Sequence, residues 1–136
     1  MENFLVIGGD AAGMSAASRA GRNYPGLRIT VLEQTQDVSY SACGMPYNIA
    51  EPDRFIDDLV VRRAEVFREK QGINLLTGHR AESIDRKNRI VRAAGPGGDI
   101  HEFPYDRLLI ATGASPVMPD IPGIDFPGVM PLKRLE

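Results

Sequence analysis

The chain has 136 residues, 16 Lys+Arg against 18 Asp+Glu, 43% apolar residues, 14 Gly, 10 Pro and a single Cys. That length buries a core of ordinary domain size, and a net charge of −2 without a basic cluster argues against nucleic acid or an anionic membrane surface as partner. One Cys excludes an internal disulfide framework, no apolar run approaches a membrane span, and a reducing cytoplasm is the default compartment.

Residues 4–7 form a short apolar run, Gly8-Gly9-Asp10-Ala11-Ala12-Gly13 a glycine-rich turn, residues 11–24 a helix-period segment and residues 28–33 a β-branched strand closed by Glu33. Strand, helix and strand in about 30 residues make a βαβ crossover with parallel strands covered on both faces. Around the helix, Gly13, Ala16, Ala17, Ala20 and Tyr24 share one arc, and Ser15, Ser18, Arg19 and Arg22 share the other. The small residues let the helix lie close to the sheet, so the polar arc faces water or a ligand.

Beyond Glu33 the pattern is irregular, and Ser39-Tyr40-Ser41-Ala42-Cys43-Gly44-Met45-Pro46-Tyr47 shows no clear period. Residues 63–71 read as a helix closed by Gly72 with no good N-cap, and residues 73–77 as a third parallel strand. Residues 79–85, 89–94 and 99–103 give three short antiparallel strands. Residues 107–113 return to the buried apolar type, so the hairpins are an excursion between strands of the main sheet. Proline recurs at 116, 119, 122, 127 and 131, which predicts no regular structure to the end.

In the glycine loop, Gly8 permits the tight turn and Gly13 the close helix–strand contact, while the first helical turn aims free N–H groups at a pyrophosphate. Asp10 stands where the fingerprint has its middle glycine, and its carboxylate must turn away from such a ligand. The alternative is a plain turn. Glu33 ends the second strand 20 residues after Gly13, where a carboxylate can accept both ribose hydroxyls and favours a free 2′-hydroxyl, so nucleotide binding is the better reading.

Cys43 as an unpaired thiol can be a small buried hydrophobe or a nucleophile at a helix start. Val38 and Asn48 stand five residues to either side, so an internal dithiol is absent and any redox partner comes from outside. Met14, Phe67, Phe103 and Phe126 read as core or cover, as do Tyr40 and Tyr47, with packing near a bound ligand as a second option for the tyrosines. Arg62-Arg63 and Arg86-Lys87 read as solvent-facing charges. His79 and His101 have no metal-ligand spacing.

Gly8 to Gly13, Glu33, the Ser39 to Tyr47 segment and Ala111-Thr112-Gly113-Ala114-Ser115-Pro116 followed by Ile121-Pro122-Gly123 resemble, in that order, the N-terminal FAD segment of the pyridine nucleotide-disulfide oxidoreductases. The single cysteine is similar to the branch of coenzyme A disulfide reductase, NADH oxidase and NADH peroxidase. The resemblance implies an α/β, Rossmann-like parallel sheet with a three-stranded antiparallel crossover. Residues 1–115 are then the first, incomplete segment of an FAD-binding domain, and 116–136 a Pro-rich linker toward an NAD(P)H domain.

It further implies FAD at Gly8, Gly9, Asp10, Ala11, Ala12, Gly13, Glu33 and Gln34, with Ala111, Thr112 and Gly113 close to the cofactor. Cys43 is the redox residue beside the flavin, receiving electrons that NAD(P)H delivers. Ser15, Arg19, Arg22 and Ser39 stand at the positions that hold coenzyme A, and three of these four lie on the polar arc of the helix. Ala42 replaces an asparagine common in that branch, and the acceptor stays open between coenzyme A disulfide, oxygen and peroxide. The expected parent is a homodimer, with no nucleic acid, membrane or metal. A rival reading is a non-catalytic nucleotide-binding module, on which the 136 residues alone bind FAD weakly or not at all and do not turn over NAD(P)H.

Overall fold

The computed structural model describes residues 1–51 and 53–135. The expected crossover comprises β1 (Asn3–Ile7), α1 (Ala11–Asn23) and β2 (Arg28–Leu32), with Asn3 opposite Arg28 and Ile7 opposite Leu32 in a parallel ladder. A short helix α2 (Met45–Ala50) and α3 (Ala64–Gln71) precede β3 (Asn74–Leu76). The antiparallel strands β4 (Arg80–Asp85), β5 (Ile90–Ala94) and β6 (Ile100–Pro104) follow, and β7 (Arg107–Ile110) returns to the main sheet. The parallel sheet has the order β3-β2-β1-β7, and the second sheet the order β4-β5-β6. The α/β architecture with an antiparallel excursion is therefore the observed one.

Alternation along β1 explains how one sheet acquires two covers. Val6 points to the layer where Met14 and Ala17 of α1 meet Phe67 of α3, together with Val31, Ile73 and Leu75. Its neighbours Leu5 and Ile7 point the other way and meet Leu32, Val91 and Ala93, so the antiparallel sheet does on one face what the helices do on the other. Burying each of the Val, Leu, Ile, Met and Phe side chains contributes about 1.5–3 kcal/mol.

Local chemistry sets the ends of the elements. α3 begins at Arg63, which makes no side-chain cap, and ends at Gly72 in the left-handed conformation at φ 64°. α2 was not expected from sequence; Pro46 lies in its first turn, where a missing N–H removes no helical bond. On α1, Ser18 of the polar arc is buried at 7% exposure, whereas Tyr24, expected on the packing arc, closes the helix at 67% exposure. Phe126 and Tyr47 are also exposed rather than core, while Met14 and Phe67 are buried and Phe103 packs on the second cluster. Residues 111–121 and 129–135 take no regular structure, and residue 136 of the expected linker lies outside the described residues. Among the described residues no helix is long and apolar enough to cross a membrane.

Candidate functional site

In a parallel α/β sheet, ligands bind beyond the carboxyl ends of the strands. Two cavities open there, on either side of a wall made by Asp10 and Tyr40, which line both. A larger cavity, about 770 Å³, lies at the opposite end among Phe4, Tyr24 and Leu27, where the lining Glu2 and Arg107 are paired with each other at 3.1 Å.

The first cavity measures about 140 Å³ and is lined by Gly8, Asp10, Glu33, Gln34, Tyr40, Ala111, Thr112 and Gly113, with Thr35, Asp37, Ala114, Ser115, Lys133 and Arg134. A smaller one of about 110 Å³ shares Gly8, Glu33, Gln34 and Thr112 with it and extends it toward His79, Arg80 and Ala81. Backbone geometry explains the glycines. Gly8 sits at φ 112°, and a Cβ there would lie 2.2 Å from the carbonyl oxygen of Ala111. A Cβ on Gly13 would lie 1.8 Å from the carbonyl oxygen of Gly8, and one on Gly9 2.8 Å from Cβ of Glu33. The turn closes only without side chains.

The helical ladder of α1 starts with Met14 N–H donating to the Asp10 carbonyl at 2.9 Å, so the N–H groups of Ala11, Ala12 and Gly13 precede any helical acceptor. Asp10 occupies the N-cap without capping; its Oδ1 is buried and has no hydrogen-bond partner among the described residues. Gly9 and Gly13 stand behind the cavity, Ala11 opens to the other side, and Ala12 lines neither cavity.

Glu33 is anchored as well as exposed to the cavity. Its Oε2 accepts the N–H of Gly9 at 2.7 Å, and Oε1 accepts the N–H of Thr35 at 2.8 Å and its hydroxyl at 2.9 Å. The single Thr35 proton is shared with the carbonyl of Asp37 at 3.0 Å. When the hydroxyl turns to Asp37, each carboxylate oxygen keeps one lone-pair site for a ligand hydroxyl. Asp10, Glu33 and Asp37 make this cavity acidic, and Lys133 and Arg134 are the cations facing them. Tyr40 reports that balance. Burial first, then the carboxylates of Asp10 and Glu33, hold its phenol above the ordinary value of 10.0, with Arg134 opposing them.

The second cavity, about 550 Å³, gathers all four residues expected to hold coenzyme A: Ser15, Arg19 and Arg22 from α1, and Ser39. Ala11, Met14, Ser18, Val61, Arg62 and Phe67 complete it. Three guanidiniums face one carboxylate, so this side is cationic where its neighbour is acidic. Arg62 and Arg63 are both exposed, as expected for the pair; Arg63 lies 3.4 Å from Asp57, while Arg62 also borders this cavity with its guanidinium 5.6 Å from the centre of the Phe67 ring.

Cys43 follows the wall residue Tyr40 by three positions, within about 11 Å of chain, on a single 3₁₀ turn over Ala42–Gly44. It is exposed, which removes the buried-hydrophobe alternative, and it lines neither cavity. Sequence reasoning missed Arg62, Ser18, Lys133 and Arg134 as site residues. The last two come from the segment read as a linker, with no local signal. His79 and His101 do meet, at 5.9 Å between ring centres, and among the described residues no three His, Cys, Asp or Glu side chains assemble to hold a metal.

The sequence pattern of the pyridine nucleotide-disulphide oxidoreductase family matches residues 2–133. The NAD(P)H coenzyme A polysulfide/persulfide reductase of Pyrococcus horikoshii is 42% identical over 125 residues, 92% of this chain and 27% of that protein. An NADH oxidase of Methanocaldococcus jannaschii is 31% identical over 97% of this chain and 30% of its own length. Among solved structures, an NAD-dependent persulfide reductase from A. fulgidus superimposes with a TM-score of 0.90 at 39% identity, covering 98% of this chain and 26% of that one. The chain thus spans less than a third of the length of these relatives.

Proposed function

Since the chain belongs to the pyridine nucleotide-disulphide oxidoreductase family, we propose that it supplies the FAD-binding loop, the redox thiol and the substrate cleft of an NAD(P)H-dependent flavin oxidoreductase acting on a coenzyme A disulfide, polysulfide or persulfide. The single observation that carries this reading is the convergence of Ser15, Arg19, Arg22 and Ser39 on one cleft that shares the Asp10–Tyr40 wall with the glycine-loop cavity. On this reading residues 1–115 are one segment of the FAD domain, and the 116–136 connection contributes Lys133 and Arg134.

The residues present fit the adenosine diphosphate half of FAD. A side-chain-free turn leads into free helical N–H groups for the pyrophosphate, and Glu33 keeps a lone pair on each oxygen for the ribose hydroxyls. Lys133 and Arg134 offset the acids that a pyrophosphate would otherwise meet. The cavity beside His79, Arg80 and Ala81 is placed for the base.

In the cleft, Arg19 and Arg22 bind phosphate through paired N–H donors, and Ser15 and Ser39 add hydroxyls. The thiol end of the ligand then reaches Cys43. The Cys43 thiolate attacks one sulfur of the disulfide, forms a mixed disulfide and releases the other half as a thiolate. Releasing the second half and restoring the Cys43 thiolate takes two electrons, which is the chemistry bound flavin supplies from NAD(P)H.

Assay of the intact enzyme with coenzyme A disulfide, polysulfide, oxygen and peroxide tests the proposal. Cys43→Ser is expected to keep flavin that NAD(P)H reduces and to lose disulfide and polysulfide reduction. Retained reduction of either overturns the role of Cys43. Activity confined to oxygen or peroxide replaces the mixed disulfide by a sulfenic acid at the same residue, the reading that similarity to the NADH oxidase favours.

A further inference from the structure

Arg62 is exposed and comes to the thiol cleft from outside α1, on the strand-like segment that leads into α3, and three observations fix it at the cleft as a group able to meet a ligand. First, its backbone is fixed. Ser39 sits in the left-handed region at φ 51°, and its carbonyl accepts the N–H of both Val61, at 3.0 Å, and Arg62, at 3.3 Å. Such a conformation in a residue with a Cβ persists only where its surroundings hold it, so the segment carrying Arg62 is fixed against Ser39 at the rim of the cleft.

Second, its guanidinium rests 5.6 Å from the centre of the Phe67 ring, which is only 2% exposed and so cannot swing away. A guanidinium over a ring spends none of its N–H donors on that contact, so they stay free to donate. Third, Arg19, Arg22 and Arg62 all line this one cleft, and among the described residues none of them has a carboxylate within 4.0 Å. Asp10 is the one acid lining a cleft into which three unpaired cations project. Such a concentration of like charge is matched by a polyanion.

We propose that Arg62 is a third phosphate-binding residue that makes the cleft select thiols carrying a phosphorylated nucleotide over thiols carrying none. The inference rests on the reading of the cleft as a thiol-substrate site. It adds a residue from a second element, so that phosphate groups are held from two sides rather than against one helix face. Phe67 acts through Arg62 as its platform and is a positioning residue.

The test is equilibrium binding of coenzyme A and of pantetheine, which has the same thiol arm without nucleotide or phosphate linkage, to the wild-type protein and to Arg62→Ala, Arg62→Lys and Arg63→Ala. Arg62→Ala should weaken coenzyme A about tenfold, the order of one charge-assisted hydrogen bond, and leave pantetheine within about twofold. Arg62→Lys should fall between, keeping the charge and losing the fork. Arg63→Ala should match wild type, and the Arg62→Ala deficit should shrink in high salt. Equal losses for coenzyme A and pantetheine would reduce Arg62 to a structural role, and wild-type affinity in Arg62→Ala would overturn the proposal while leaving the thiol site standing. Failure of the wild-type protein to bind coenzyme A would overturn both.

Discussion

The two cavities on either side of Asp10 and Tyr40 are neighbours built from different materials. On one side the contacts are backbone: three glycines, the first N–H groups of α1 and a carboxylate tied to Gly9 and Thr35. On the other they are long side chains, Arg19, Arg22 and Arg62, with hydroxyls between them. The difference teaches where tolerance lies. A backbone-built site is part of the fold and fails with it, whereas a side-chain-built site can lose its ligand while the fold stands.

The sharpest break should come at Gly13. Its Cβ in Gly13→Ala would meet the Gly8 carbonyl oxygen at 1.8 Å, which forces α1 away from β1, so we expect a loss of about 3 kcal/mol or more in denaturant unfolding together with loss of flavin binding. An unchanged unfolding midpoint would erase the distinction between the sites. Replacing Arg19 and Arg22 by Ala together should do the reverse, changing stability by no more than about 0.5 kcal/mol, as for exposed surface positions, while raising the Michaelis constant for coenzyme A disulfide far above any effect on that for NAD(P)H. Equal effects on both constants would return these arginines to the solvent.

The smallest effect belongs to the wall itself. The phenol of Tyr40 is held above 10.0 by burial and by the carboxylates of Asp10 and Glu33, so its proton is bound more tightly in the folded state than in the unfolded one. Its contribution to stability is therefore complete below pH 10 and declines as pH rises from there through the raised value. Ultraviolet titration of wild type against Tyr40→Phe should show one phenol ionising late, and an Asp10→Asn variant should bring it earlier. A Tyr40 that titrates with the exposed tyrosines would show that the acidic side exerts no field on the wall.

What the sequence revealed divides along the same line. The glycine spacing, the acid after β2 and the order of strands were legible because backbone-built features are local: each depends on residues within one crossover. The polar arc of α1 was legible because helical phase brings residues 15, 19 and 22 together without knowledge of the rest of the fold. Arg62, Lys133 and Arg134 were not. Each reaches its cavity through long-range chain placement, and in the case of Arg62 through a left-handed Ser39 that no propensity would assign. Ser18 was assigned to the outside by the same wheel that found its neighbours; the Phe67 side of the cleft covers it. α2 escaped because six residues are too few to display a period.

The buried Oδ1 of Asp10 leaves this single carboxylate facing two cavities with no hydrogen-bond partner for that atom among the described residues. A wall one residue thick cannot keep its two sides independent. Charge or a hydrogen-bond donor brought to one side changes the free energy of the group that borders the other, and reciprocity makes the influence equal in both directions. If the two cavities hold cofactor and thiol ligand as proposed, their affinities are linked through Asp10, and filling one changes how tightly the other binds.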